Sequence, residues 1–139
     1  MEKYKFVYSS KEYELGEDNC SYEINDEEHP VAGIKRSDII ELLSQQGAAD
    51  FQIEYYDHPC QNCLAGKKEK DKYFKFLEYH FFIFTKKGRY VISSISKDYE
   101  SSSFSKLLKQ GVVDNSYVVS IPVCFSCGDY AIEIEQCDV

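Results

Sequence analysis

Apolar and polar residues alternate with a period of two along several short stretches of the chain, a pattern that predicts β-strands. Residues 3–8 and 11–15 are the first two such stretches, with Ser9-Ser10 between them. Two residues is the length of a tight hairpin loop, although the favoured turns usually contain Gly or Asn. The pattern therefore predicts an N-terminal β-hairpin.

Helical spacing of apolar residues occurs at two places. Between residues 37 and 46, Ile39, Leu42 and Leu43 recur at i, i+3 and i+4, as on one face of a helix. Ser37 is a suitable N-cap and Gly47 a suitable left-handed residue after the end. An N-cap residue, apolar residues at helical spacing and a following glycine occur again between residues 103 and 111. We therefore expect two short helices.

Residues 72–85 fit both a helix and a strand, because a helical stripe of apolar residues coincides with a high aromatic and β-branched content. The next residues favour a strand, since Lys86-Lys87-Gly88 suits a turn and residues 89–96 alternate again. A hairpin of 73–85 with 89–96 is therefore expected. Further strands are expected at 21–24, 48–57, 117–121 and 131–135.

The predicted fold class is α+β, a mainly antiparallel sheet of six to eight strands with two short helices. The chain of 139 residues has the size of one domain, and neither a linker, a repeat nor a low-complexity segment divides it. We expect residues 1–139 to form a single domain.

Charge is distributed unevenly along the chain. The net charge is −8, which argues against a general binder of nucleic acid or anionic membranes. Only residues 59–113 are basic, with eleven Lys and Arg against five Asp and Glu. The N-terminus lacks the apolar core of a secretion signal, and the longest purely apolar run, Phe81–Phe84, is far too short for a membrane span. A cytoplasmic protein with reduced thiols is the expectation.

Four of the six cysteines form two C-x-x-C pairs, Cys60 with Cys63 and Cys124 with Cys127. In a reducing compartment such pairs indicate metal binding or redox chemistry rather than disulfides. Zinc prefers four tetrahedral ligands of this kind, so the four thiols predict one structural Zn²⁺ site. Gly128 follows the second pair directly and can adopt the positive φ that such a knuckle needs, whereas Gly66 lies three residues after Cys63.

The segment 118–135 resembles half of a zinc ribbon, with a strand, a cysteine knuckle and a second strand. The resemblance also covers 59–66, and the sixty residues between the pairs imply an insertion between the two halves. The K-x-x-F-x-Y-x4-Y-x-L start and the C-x-x-C-G-D-Y-x-I-E-I-E end resemble a small uncharacterised group of clostridial-type bacterial proteins. That second resemblance implies no function.

Other roles for these thiols stay open. A redox dithiol would sit at a helix N-terminus, where the dipole lowers the thiol pKa, but the sequence around Gly128 predicts strands. Iron in a four-sulfur site would use the same knuckles. Cys20 and Cys137 are expected to be inert thiols, His58 an exposed loop residue that could otherwise replace or orient a ligand, and His80 a sheet residue.

No catalytic motif is visible, and four thiolates leave no open coordination position for water. We therefore expect no enzyme activity and favour a binding or adaptor module, since the twelve tyrosines suit a protein interface. One alternative is a thiol-redox or metal-responsive protein. A second is a weak contact with nucleic acid through the basic segment 67–89, formed by Lys67, Lys68, Lys70, Lys72, Lys86, Lys87 and Arg89.

Overall fold

The computed structural model describes residues 3–46 and 49–137. Within these ranges the chain is mainly β-sheet with short helices. The strands are β1 Tyr4–Tyr8, β2 Lys11–Leu15, β3 Cys20–Ile24, β4 Gln52–Tyr56, β5 Phe74–Lys86, β6 Arg89–Ser93, β7 Asn115–Cys124 and β8 Tyr130–Gln136. The α-helices are α1 Arg36–Gln46 and α2 Phe104–Lys109, and short 3-10 helices lie at Glu17–Asn19 and Lys97–Ser101.

Strands β1 and β2 form the predicted N-terminal hairpin, with Tyr8 paired to Lys11 across the turn. Ser9 and Ser10 both have positive φ, 48° and 66°. Positive φ at both loop positions is the geometry of the turn that matches the twist of a hairpin. The serines adopt it without the Gly or Asn that usually marks such a turn.

The other six strands form one sheet around β5. The strand order is β3-β8-β7-β5-β4, and β6 also pairs with β5. Strand β4 pairs with the first residues of β5 and β6 with its last residues, while β7 pairs with β5 from Phe76 to Thr85. The prediction of a strand rather than a helix at 73–85 is confirmed, and this strand is the centre of the sheet.

The expectation of a mainly antiparallel sheet holds for every pair in it except one. Strand β3 lies at the edge and runs parallel to β8. Alternation of apolar residues shows that a segment is a strand but not which neighbour it pairs with, so a parallel edge was not visible in the sequence.

Helix α1 begins one residue earlier than predicted. The carboxylate of Asp38 accepts a hydrogen bond from the backbone N–H of Lys35, at 2.8 Å, so Ser37 lies inside the first turn and is not the N-cap. The expected cap at Gly47 and the start of the next strand at Ala48 lie outside the described residues. In contrast, Ser103 caps α2 as expected, its side chain accepting from the N–H of Lys106.

The core lies on one face of the six-stranded sheet, where the β1–β2 hairpin and α1 cover it. Leu77, Phe81 and Ile83 of β5 point into this core. The opposite face carries two smaller clusters, one around Phe84 beneath α2 and one around Phe76 with Cys60 and Cys124. No helix in the described ranges has the length and apolar character needed to cross a membrane.

Candidate metal centre

The two cysteine pairs lie at the same end of the sheet. Cys60 and Cys63 belong to the connection between β4 and β5, and Cys124 is the last residue of β7, just before the turn to β8. Strand β5 lies between β4 and β7, with Phe74 paired to Tyr56 and Phe76 to Cys124. The sheet therefore brings together two pairs that sixty residues of chain separate.

The four sulfur atoms form a compact cluster, all within 4.8 Å of one another. The Sγ atoms of Cys60 and Cys127 are 3.7 Å apart, and those of Cys63 and Cys124 are 3.6 Å apart. A tetrahedral zinc with Zn–S bonds of about 2.3 Å requires sulfur atoms separated by about 3.8 Å. The four thiols are free rather than joined in disulfides, and their spacing fits a metal ion at the centre.

The two knuckles share one backbone hydrogen bond and one left-handed position. In each, the N–H of the residue after the second cysteine donates to the carbonyl of the first, Leu64 to Cys60 at 2.9 Å and Gly128 to Cys124 at 3.0 Å. These two residues have positive φ, 53° for Leu64 and 84° for Gly128. The first knuckle therefore makes the same turn as the second, although a leucine occupies its left-handed position.

Gly66 has a different role from the one that its spacing suggested. Its φ is +88°, and a Cβ atom at this position would lie 2.7 Å from the carboxylate of Asp71 and 3.2 Å from the ring of Phe74. The carbonyl of Gly66 accepts from the N–H of Asp71 at 3.0 Å. Gly66 thus closes the tight loop that returns the chain from the first knuckle to β5.

Hydrogen-bond donors surround the sulfur atoms. The backbone N–H of Cys127 donates to the Sγ atom of Cys124 at 3.5 Å. The Sγ atom of Cys127 accepts from the backbone N–H of Asp129 at 3.5 Å and from the side-chain amide of Asn62 at 3.8 Å. Four thiolates around a divalent ion carry a net charge of −2. With such an ion bound, these donors would stabilise that charge, as outer hydrogen bonds do in metal sites generally.

The surroundings affect the four thiols unequally. Burial raises the pKa of Cys124 far above its ordinary value and, more weakly, that of Cys127. For Cys63, partial burial raises the pKa, but hydrogen bonds from the N–H of Ala65 and from neighbouring thiols outweigh it and lower the pKa overall. Without a cation the deprotonated cluster is unfavourable, and a bound metal would supply the charge that favours it.

One cysteine of each pair is buried and the other faces solvent. Cys60 and Cys124 are 7% and 3% exposed, whereas Cys63 and Cys127 are exposed. The cluster lies at the surface and is covered from the inside by Phe76. A bound metal would hold the two loops together at the edge of the fold.

The N-terminal hairpin supports the second knuckle, a contact that the sequence did not suggest. The Tyr13 hydroxyl donates to the carbonyl of Phe125 at 2.9 Å, and the Lys11 ammonium donates to the carbonyls of Phe125 and Ser126. The side-chain amide of Asn19 donates to Gly128. More than a hundred residues separate these partners along the chain, so no local pattern could have indicated them.

The other candidate residues lie outside the sulfur cluster. His58 is exposed, with its ring 5.4 Å from that of Tyr56. His80 lies on β5 and shares a 2.9 Å hydrogen bond with the Ser120 hydroxyl. Cys20 and Cys137 are half-buried and take no part in the four-cysteine group.

Comparison with known proteins gives a family but no activity. The family described as "Protein of unknown function (DUF3785)" matches residues 4–139. Searches of curated proteins and of solved structures found no match. The bacterial origin and the zinc-ribbon resemblance stay predictions. Since the match spans nearly the whole sequence, the chain belongs to the DUF3785 family.

Proposed function

We propose that this protein binds one structural Zn²⁺ through Cys60, Cys63, Cys124 and Cys127 and serves as a protein-binding or adaptor module. The observation that carries the metal assignment is the cluster of four sulfur atoms with near-tetrahedral spacing. Zinc is preferred because two C-x-x-C knuckles with four thiolates are the usual ligand set of structural zinc. A zinc ion would cross-link the β4–β5 connection to the β7–β8 turn.

The ligand set supports a structural role in preference to a catalytic one. Four thiolates saturate a tetrahedral ion, so no position remains for water or substrate, and their negative charge weakens the ion as a Lewis acid. We therefore propose that the metal site carries no enzyme activity. A cytoplasmic location belongs to the same proposal, because reduced thiols are maintained there.

Metal analysis combined with a matched pair of cysteine variants tests the zinc assignment. Native mass spectrometry of the protein from its own host should find one zinc ion per chain, and would also report an iron site, the oligomeric state and any retained partner. Chelation with EDTA, or Cys127→Ser, should lower the melting temperature sharply, because zinc contributes on the order of 10–16 kcal/mol in small finger peptides. The control, Cys137→Ser, removes a thiol outside the cluster.

Two results would contradict the zinc assignment. One is metal-free protein from the native host whose melting temperature does not respond to chelator. The other is an equal effect of Cys127→Ser and Cys137→Ser on the melting temperature. An iron-loaded protein would keep the four-cysteine site and change only the identity of its metal.

A thiol-redox or metal-responsive protein is the second candidate, and the exposure of Cys63 and Cys127 favours it. Exposed thiolates can react with oxidants or electrophiles and release a metal. Titration of thiols in the native, metal-loaded protein separates the two proposals. A purely structural site stays unreactive until the metal is removed, whereas a responsive site reacts in the native state and releases its metal in proportion.

The adaptor role and the weak contact with nucleic acid require separate measurements. A protein partner should be retained in the native mass spectrum. Binding to an oligonucleotide that weakens with rising salt would instead indicate the basic segment 67–89, since phosphate contacts release counterions.

A further inference from the structure

An open groove lies on the outer face of the six-stranded sheet, between the metal centre and the cluster beneath α2. Its volume is about 530 Å³, within the range of small-molecule binding sites. Residues from β3, β4, β5, β7 and β8 line it. At the end nearest the metal centre, a narrower apolar cleft lined by Pro122, Ala131 and Tyr130 continues it.

Small side chains lie beneath the groove and its adjoining cleft: Ser120 lines the groove, and Pro122 and Ala131 line the cleft. Ser120 and Pro122 of β7 face the same side as Ala131 of the neighbouring strand, and across the sheet they pair with larger residues. Ser120 lies between His80 of β5 and Glu133 of β8, and Pro122 lies beside Glu78. A depression results because the central side chains are short while those on both sides are long.

Tyrosines form the walls. Tyr22 projects from β3 on one side, and Tyr56 from the end of β4 on the other, with Tyr55 and Tyr73 near the rim. Burial, and after it the interaction with the carboxylate of Glu78, raises the pKa of Tyr56 far above its ordinary value. The walls are therefore aromatic faces beside a negative charge.

The groove carries negative charge without a matching positive one. Glu78, Glu133, Glu135 and Asp57 line it, and its lining contains neither Lys nor Arg. Among the ion pairs of the described residues, only His80 with Glu78, at 3.6 Å, falls here, and it requires a protonated histidine. Burial and the charges of Glu78 and Glu135 raise the pKa of Glu133, with His58 and His80 opposing them.

Among the described residues, the groove does not gather three ligand atoms as closely as the cysteine cluster does. In the described part of the chain, only the four cysteines bring three or more potential ligand atoms within 4.8 Å of one another. The carboxylates and histidines of the groove are spread more widely and are interleaved with aromatic rings. That geometry suits a larger cation, whose charge meets carboxylates while its carbon atoms lie on tyrosine faces.

We propose that this groove binds an organic cation, an ammonium or guanidinium group on an aliphatic stem, between Tyr22 and Tyr56 and against Glu133 and Glu135. The cation comes either from a free amine or from a Lys or Arg side chain of another protein, the second source being consistent with an adaptor role. The lining of the groove contains no thiol, and Cys60 lies in the adjoining cleft.

Titration of the metal-loaded full chain, followed by NMR, tests the site. The probes are putrescine as a free amine, the blocked peptides acetyl-Gly-Lys-Gly-amide and acetyl-Gly-Arg-Gly-amide, and 1,4-butanediol as a neutral analogue of putrescine. We expect the cationic probes to shift resonances of Tyr22, Tyr56 and Glu133, and the diol to shift none of them. Binding of peptides alone would point to a partner protein, and binding of putrescine as well would point to the free cation.

Charge-neutralising variants locate the binding. Glu133→Gln and Glu135→Gln should each weaken binding about fivefold, the effect expected for loss of one partly screened charge pair. The matched control, Glu12→Gln, changes an exposed carboxylate of β2 outside the groove and should leave the affinity unchanged. Glu135 is also exposed, so its substitution does not endanger folding.

The proposal is overturned if none of the cationic probes shifts the groove resonances, or if the diol shifts them equally. It is also overturned if Glu12→Gln weakens binding as much as the two groove variants do. Measurement of metal content in every sample separates this outcome from a failure of the zinc assignment, because apo protein would be recognised by its mass.

Discussion

The residue after each C-x-x-C pair has a left-handed backbone conformation. At these two positions a glycine variant should therefore be more stable than an alanine variant, the reverse of the usual order. Leu64 and Gly128 occupy equivalent positions with φ of 53° and 84°. Leu64→Ala and Leu64→Gly both remove the side chain beyond Cβ, so their difference isolates the effect of the Cβ atom itself. Gly128→Ala introduces the same Cβ in the second knuckle.

The magnitude follows from the backbone rather than from packing. A left-handed conformation costs a residue with a Cβ about 1–2 kcal/mol, and the greater freedom of glycine in the unfolded chain offsets about 0.5–1 kcal/mol of this. A Cβ on Gly128 would lie 3.8 Å from the Tyr13 ring, an ordinary contact that adds no clash. Glycine should therefore exceed alanine in stability by about 0.5–1 kcal/mol at both positions.

Thermal unfolding of the metal-loaded variants measures this difference, which should amount to roughly 2–4 °C in a chain of this size. Glu69 provides the control, because it is exposed in the same loop and is not among the positive-φ residues. There, Ala should be as stable as Gly or more so. If alanine equals or exceeds glycine in stability at position 64, the residue after the first cysteine pair is not held in the left-handed conformation.

Two further predictions concern the knuckle support and the groove. Tyr13→Phe removes the 2.9 Å hydrogen bond to the Phe125 carbonyl and should lower the free energy of unfolding, measured with denaturant, by about 1 kcal/mol. The control, Tyr55→Phe, changes an exposed residue and should leave the free energy of unfolding unchanged. Equal effects of the two substitutions would contradict a supporting role for the Tyr13 hydrogen bond. Glu133→Gln should raise the melting temperature at neutral pH. The fold raises the pKa of Glu133, so ionisation of this carboxyl destabilises the folded state once the pH exceeds 4.5, the ordinary pKa of a glutamate. The gain should disappear below that pH, and a gain that persists there would show a cause other than charge.

Much of the secondary structure follows from local patterns in the sequence. The β1–β2 hairpin, the strand β8 and the Ser103 cap all depend on residues that are close in the chain, so periodicity and cap chemistry suffice to predict them. The parallel edge of β3 and the early start of α1 at Arg36 did not follow, because the first depends on a distant partner and the second on a side-chain contact of Asp38.

The candidate site also has features that local sequence predicts and features that it does not. The two C-x-x-C pairs and the need for a left-handed residue after each are local properties, and the residues Cys60, Cys63, Cys124 and Cys127 could be named from spacing alone. Spacing also drew attention to Gly66, but the left-handed position of the first knuckle belongs to Leu64. A non-glycine residue gives no sequence signal for positive φ, since most leucines avoid it.

The sequence by itself determined which segments are strands, where the chain turns and which thiols are candidate ligands, because each depends on neighbouring residues. Only the tertiary structure decided that the two pairs meet, since β5 must pair with both β4 and β7 to bring them to one end of the sheet. It also decided that small residues of β7 and β8 lie between long acidic and aromatic ones. Contacts of this kind depend on strand register across the sheet, which distant segments set together.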